Sequence, residues 1–328
     1  MKKVFIDGSA GTTGLRIRER LAARRDLELV VLPEETRKDP AARADALNGA
    51  DVAFLCLPDA AAVEAVALVA NPATVLIDTS TAHRVNPAWT YGFPELDGQR
   101  ARIAASRRIA NPGCHASGFV ALVAPLVQRG ILPADAALTA FSLTGYSGGG
   151  KKMIAQYEDE LRAPSEGAGN PPRPLFLGGR QYALGQAHKH LPEMVKVCGL
   201  AHAPVFSPIV VPHLSGMEVT VPLHAAQLKG DLAAIQSCYR DYYAANGLVR
   251  FVDDPAAGEG GFLSSAALAG RDDLEVSASG NAERIVLVAR FDNLGKGASG
   301  AAIQNMNLAL GVDERTGLVY PACPPENC

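Results

Sequence analysis

The stretch KKVFIDGSAGTTGLRIRERLAARRD, residues 2–26, decides how this chain folds. It passes from a short apolar strand, KKVFID, through a glycine turn, GSAGTTG, into a segment where Leu15, Ile17 and Leu21 can bury one helix side while the arginines stay in water. The glycines fall at Gly8, Gly11 and Gly14, a G-x-x-G-x-x-G spacing. Small residues there let the backbone approach a pyrophosphate, and the free N–H groups of the helix start face it. Working outward, LELVVL (27–32), DVAFLCLP (51–58) and TVLIDTS (74–80) read as further strands, with helical patterns such as DAAAVEAVALVA (59–70) between them. Strands apolar on both faces that alternate with helices imply a parallel sheet covered on both sides. The expectation is an α/β, Rossmann-type dinucleotide-binding domain.

After the second strand comes PEETRKDP (33–40), where the adenosine ribose of a dinucleotide would sit. A carboxylate there suits a free 2′-hydroxyl and a cation suits a 2′-phosphate. Glu34 and Glu35 offer the first and Arg37 and Lys38 the second, so the residues are compatible with either cofactor.

After Cys114 the rhythm changes. ALTAFSLTGYSGGGKKMIAQYEDELR (137–162) gives a strand, a glycine turn and a helix, followed by a Pro/Gly loop, APSEGAGNPPRP (163–174). Longer strands follow at 205–211 and 216–225, then a pair at 274–279 and 284–293 around the turn GNAE, with a helix over 231–246. This pattern predicts a second, α+β domain with a mixed or antiparallel sheet.

With 48% hydrophobic and 20% charged residues over 328 positions and a formal net charge of −3, the composition is that of a water-soluble globular chain with no basic face for nucleic acid. No apolar run approaches the roughly 18 residues of a membrane span. The opening MKKVFIDG runs straight into the glycine loop, so no signal peptide and a cytoplasmic location are expected. The six cysteines, Cys56, Cys114, Cys198, Cys238, Cys323 and Cys328, show no metal-site spacing and are expected as free thiols.

One of them stands apart. In RRIANPGCHASGFVALVAPL (107–126), Cys114 sits between an Asn-Pro-Gly turn and an apolar helical run. Most lone cysteines are simply buried. A thiol at a helix start, however, faces unpaired N–H groups and the positive end of the helix dipole, which favour thiolate. Cys114 is therefore a candidate nucleophile. GQAHKHLPEM (185–194) places His188 and His190 two apart, on one side if the segment is extended, with Glu193 close behind. No third ligand at helical spacing accompanies them, so no metal is expected.

Taken together, IDGSAGTTGL, IDTSTAHR, YGFPEL, ANPGCHASG, TGYSGGGKKMIAQYE, HKHLPE and DNLGKGASGAAIQNMNL, in that order along nearly the whole chain, resemble the shorter version of the N-acetyl-γ-glutamyl-phosphate reductase family, within the semialdehyde dehydrogenase superfamily. The resemblance implies NADPH-dependent reduction of N-acetyl-L-glutamyl 5-phosphate to the 5-semialdehyde, in arginine biosynthesis. Cys114 would be the nucleophile, and one of His188 and His190, with His190 favoured, the acid/base. NADP(H) would be held by Gly8, Ser9, Ala10, Gly11, Thr12, Thr13, Gly14, Arg37, Ser80, Asn293, Gly295 and Lys296. Substrate and its phosphate would meet Arg84, Asn111, Ser147, Gly148, Lys151 and Glu193. The last helix would return to the nucleotide domain, giving a discontinuous domain of residues 1–115 plus 296–328 and a catalytic and dimerisation domain of 116–295 in a homodimer or homotetramer. One departure is His115, where the family commonly carries Tyr.

The chemistry agrees with these residues. An acyl phosphate is already activated and needs a soft nucleophile to form a thioester, an imidazole to move the proton, and N–H donors for the oxyanion, for which the Cys114 N–H and Asn111 are placed. Competing readings are an aspartate-semialdehyde or other acyl-phosphate reductase with the same mechanism, and a non-catalytic NADP-binding redox sensor. The sensor needs neither the histidine pair nor a phosphate pocket, and an acyltransferase or thioesterase using Cys114 needs no dinucleotide.

Overall fold

The computed structural model describes residues 1–161, 174–244 and 247–321; the Pro/Gly loop expected over 163–174 lies almost entirely outside them, as do Cys323 and Cys328. The first sheet holds β1 (Lys2–Asp7), β2 (Leu27–Val30), β3 (Val52–Leu55), β4 (Val75–Asp78), β5 (Thr90–Tyr91) and β6 (Arg108–Ala110). All pair in parallel, in the order β2-β1-β3-β4-β6-β5.

The alternation of side chains along these strands explains the double cover. Val4 and Ile6, Val52 and Phe54, and Val75 and Ile77 point to one face, where they pack with Ile17 and Leu21 of α1 (Thr12–Leu21) and, from the far end of the chain, with Ala302, Ile303 and Met306 of α10 (Gly300–Leu310). Phe5, Ala53, Leu55 and Leu76 point to the other, against Leu47 of α2 (Pro40–Gly49) and Ala65 of α3 (Asp59–Ala67). A further helix, α4 (Gln99–Ala105), precedes β6.

The second sheet runs β11-β12-β13-β10-β7-β9-β8. Its members are β7 (Thr139–Gly145), β8 (Arg180–Gln181), β9 (Val205–Val211), β10 (Met217–His224), β11 (Val249–Phe251), β12 (Leu274–Gly280) and β13 (Arg284–Phe291). Most neighbours are antiparallel, with parallel pairs at β11/β12 and β7/β9, so the sheet is mixed as its sequence suggests.

Beneath this sheet lies α5 (Cys114–Gln128), whose residues from His115 to Leu126 are all buried. A helix buried all round and largely apolar is a core helix. Its Phe119, Val120 and Val123 pack in one cluster with Val219, Leu287 and Phe291. Pro125 lacks the N–H that would bond to the Ala121 carbonyl, and that carbonyl instead accepts the Tyr243 hydroxyl at 2.8 Å. Tyr239 of α9 (Leu232–Tyr242) donates likewise to Leu122 O at 2.6 Å. The long helix thus starts at the boundary between the two sheets and is locked under the second. Three helices complete the fold: α6 (Gly150–Leu161), α7 (Pro174–Leu177) and α8 (Leu191–Cys198). Among the described residues no helix is long and apolar enough to cross a membrane.

Candidate active site

A cavity of about 840 Å³ opens where loops at the carboxyl ends of β1, β3 and β4 face the second sheet. In an open parallel sheet this crevice forms where strand order reverses, here between β1 and β3. Gly11, Thr12 and Thr13 line it on one side, Cys114, His188 and His190 on another.

Cys114 is the first residue of α5, with Gly113 as its N-cap. The approach of other groups to this turn is close. A Cβ added at Gly113 would lie 2.4 Å from Arg84 Nη1 and 2.5 Å from both Cε1 and Nε2 of His190, and one added at Gly297 would lie 3.0 Å from Cys114 Cβ. The imidazole of His190 therefore packs directly on the backbone that carries the cysteine. Burial pushes the Cys114 thiol above its ordinary range, against the opposing pull of Arg84 and the His115 N–H. The helix start is thus insufficient by itself to give a thiolate, contrary to the expectation from the sequence, because desolvation of the charged form wins. His190, 5% exposed, is held well below the ordinary histidine range by burial and then by Arg84, and its Nδ1 has no hydrogen-bond partner. A neutral imidazole beside a protonated thiol is a base beside an acid.

The histidine pair is not on a strand. His188 and His190 lie in a turn, and His190 N-caps α8, with its backbone N–H donating to His188 Nδ1 at 3.1 Å. The turn still brings the rings together, 4.8 Å between centroids. Burial moves His188 down to about 4.

Glu193 does not line the cavity; it is buried beneath it and accepts from Tyr91 Oη at 2.7 Å, Gly113 N at 2.8 Å and Arg84 Nη1 at 3.2 Å. A buried carboxylate needs such partners, and here they pin the cysteine turn and the arginine at once. Arg84 also donates to the carbonyls of Asn111 and Thr79, at 2.9 and 3.0 Å, and keeps a face on the cavity. Ser80, Asn111, Ser147 and Gly148 line the cavity. Asn293 does too, bridging Ser147 Oγ and the Gly216 N–H.

Besides Glu193, three further residues expected at the ligands lie off the cavity. Lys151 is exposed and outside the lining of the cavity. Lys296 is 1% exposed and turned away, its ammonium bonded to both oxygens of Glu95 at 2.8 Å and to Gln304 at 2.5 Å. Gly295 abuts the Arg271 carbonyl, 2.0 Å from where a Cβ would stand. The cavity is lined instead by their neighbours Leu294, Gly297 and Ala298. A buried ammonium must be paired, and the only way to pair Lys296 with Glu95 is to turn it inward. Sequence reasoning also missed Arg180 and Tyr182; aromatic and basic residues between a loop and HKHLPE were their only signal.

His115, the departure from the family pattern, is buried with Nδ1 2.7 Å from Ser142 Oγ and Nε2 2.7 Å from Tyr182 Oη. Burial lowers it to about 3, so the ring is neutral and carries one proton. Ser142 is fully buried with the imidazole as its partner, and an unmet hydroxyl proton costs more than an unused lone pair. Ser142 accordingly donates to Nδ1, Nε2–H donates to the Tyr182 oxygen, and the Tyr182 proton is left for the cavity.

The residues after β1 fit a dinucleotide. Gly8, at φ +85°, would put a Cβ 2.2 Å from the Cys56 carbonyl, and Gly14 would put one 2.4 Å from Gly8 O, so loop, strand and helix close only without side chains. Gly11 caps α1 without a side-chain hydrogen bond, leaving the first N–H groups free. An adjoining cleft of about 220 Å³ is lined by Gly8, Ser9, Ala10, Arg37 and Lys38, and the buried Arg37 Nε has no partner. Glu34 is engaged with Arg37 at 2.5 Å. Among the described residues no group of three His, Cys, Asp or Glu side chains could hold a metal ion.

The comparisons with known proteins follow the same division. Residues 3–105 match the family model described as semialdehyde dehydrogenase, NAD binding domain, and residues 114–293 the one described as semialdehyde dehydrogenase, dimerisation domain. In structure, aspartate semialdehyde dehydrogenase II of Vibrio cholerae superposes with a TM-score of 0.71 over 95% of this chain and 98% of that one, at 17% identity, which speaks to fold alone. In sequence, an N-acetyl-gamma-glutamyl-phosphate reductase of Burkholderia ambifaria is 47% identical, covering 94% of this chain and 96% of the relative. N-acetyl-gamma-glutamyl-phosphate reductase 2 of Pseudomonas putida is 45% identical, covering 96% and 98%. Likeness at that level over nearly the whole of both chains reaches past the shared architecture to the branch: this chain belongs to the N-acetyl-gamma-glutamyl-phosphate reductases of the semialdehyde dehydrogenase family.

Proposed function

We propose that the chain reduces N-acetyl-L-glutamyl 5-phosphate to N-acetyl-L-glutamate 5-semialdehyde and phosphate with NADPH, a step of arginine biosynthesis in the cytoplasm. The observation that carries this reading is the packing of the neutral His190 imidazole on the turn that presents Cys114, at a cavity continuous with the glycine loop.

Cys114 Sγ attacks the acyl carbon while its proton passes to His190 Nε2; the bond from that carbon to the phosphate oxygen breaks and a thioester remains. The free N–H groups of the first turn of α5 and the Asn111 amide, which keeps one N–H beyond its bond to Ala298 O at 3.1 Å, stabilise the oxyanion. Arg84, with Ser80 and Ser147, takes the departing phosphate; three of its N–H groups are fixed by protein acceptors, which orients the others. NADPH, when bound, supplies the hydride that brings the thioester to the aldehyde level. Thr12, Thr13 and the glycine loop would hold its pyrophosphate and Arg37 its 2′-phosphate. His190 returns its proton as the aldehyde leaves the sulfur.

The nucleotide unit comprises residues 1–115 and 296–328 and the catalytic unit 116–295. Copies associate through the outer face of the second sheet, which leaves Phe141, Val205 and Val286 exposed at 44, 57 and 38%.

The reverse reaction tests the assignment. N-acetylglutamate semialdehyde with NADP and phosphate is expected to yield NADPH, aspartate semialdehyde to be a poor substrate, and Cys114→Ser to abolish turnover while NADPH binding persists. Preferred turnover of aspartate semialdehyde refutes the substrate, and residual turnover above a few per cent in the serine variant refutes the thioester.

A further inference from the structure

The cavity contains a cation that the chemistry above does not use. Arg180, on the edge strand β8 of the second sheet, lines the cavity and is half-buried. Among the described residues its guanidinium has aromatic neighbours and no carboxylate: it lies 4.6 Å over the Phe176 ring centroid and 5.7 Å over that of Tyr157. The aromatic support is itself fixed, since Tyr157 stacks on Tyr146 at 4.8 Å and meets Phe176 edge-on at 5.1 Å. By contrast Arg84 is tied to Glu193 and two carbonyls beside Cys114.

Two further polar atoms point the same way. Tyr157 is fully buried, lines the cavity, and its hydroxyl has no hydrogen-bond partner. Tyr182 follows Arg180 by two residues, lines the cavity, and through His115 has its proton directed there. A planar guanidinium held over aromatic rings, with no carboxylate partner among the described residues and two tyrosines on the same cavity, is suited to receive a carboxylate.

We propose that Arg180, with the hydroxyls of Tyr157 and Tyr182, binds the α-carboxylate of the substrate and so sets specificity at the end remote from the reacting carbon. The proposal rests on the function proposed above. The substrate has two anionic ends, a phosphate at the acyl carbon and a carboxylate at the other end of its short chain. Three cations line the cavity: Arg84 at the nucleophile, the exposed Lys189 between the two histidines, and Arg180 on the second sheet, the one of the three held over aromatic rings. An acetamido group alone offers no charge to balance Arg180.

The test compares two aldehydes, N-acetylglutamate 5-semialdehyde and its α-carboxamide, in the phosphate-dependent reverse reaction, with the parent protein, Arg180→Leu and Arg180→Lys. Turnover of the acid by the parent protein establishes the underlying function separately. Arg180→Leu is expected to raise KM for the acid by about 30- to 300-fold with kcat within a few-fold, to leave the carboxamide nearly unaffected, and to leave KM for phosphate unchanged. Arg180→Lys is expected to recover part of the loss, since it restores the charge without the fork. A rise in KM for phosphate instead assigns Arg180 to the leaving group and overturns the proposal. Equal losses on both aldehydes, or no loss on either, overturn it as well; NADPH binding by each variant checks that it is folded.

Discussion

Gly113→Ala probes the closest approach in the site. Gly113 has φ −79° and ψ 145°, a conformation alanine adopts without strain, so the effect of the substitution is steric. The new Cβ stands 2.4 Å from Arg84 Nη1 and 2.5 Å from His190 Nε2. Ordinary contact is about 3.5 Å, so both groups must withdraw by about 1 Å. Neither is free to do so: Arg84 makes three hydrogen bonds to protein acceptors, and His190 is buried at the start of α8. A misplacement of about 1 Å at reacting groups costs on the order of 10²-fold in rate, and overpacking of this kind about 1–3 kcal/mol in stability. The expected outcome in the reverse reaction is a kcat lowered by about 10²-fold, with KM for NADP within a few-fold because the glycine loop is untouched. Unfolding by denaturant measures the stability loss independently. A folded variant with kcat within threefold of the parent refutes the reasoning that His190 and Arg84 act from contact with this turn.

Arg37→Ala is expected to raise KM for NADPH at least tenfold and leave NADH nearly unchanged, because the buried, unpartnered Arg37 Nε lines the cleft beside Gly8; equal effects on both cofactors argue against a 2′-phosphate site. Acid is expected to destabilise the fold through His115, whose value burial holds near about 3, below the ordinary 6.5. Between those values the unfolded chain binds a proton that the folded chain refuses, so stability falls as pH falls through this window. At pH 5 the loss from this group is about 2 kcal/mol, and His115→Gln, read by denaturant midpoints at pH 7 and pH 5, is expected to lose less than the parent. An unchanged pH dependence in that variant counts against a buried neutral His115.

Features set by neighbours along the chain are legible in the amino-acid order alone. The period of two in the short strands, the glycine spacing after β1 and the position of Cys114 at the start of a largely apolar helix are local patterns, and each recurs in the fold. Tertiary structure decided which polar groups pair with which, because that depends on contacts between segments far apart in the chain. Lys296 reads as a loop cation and is consumed by Glu95; Glu193 reads as a substrate ligand and pins Gly113 and Arg84 from below. The same contacts leave Arg180 facing the cavity over its aromatic support. Desolvation behaves in the same way: the helix start favours a thiolate at Cys114, and the burial that outweighs it exists only once the two sheets close around the site.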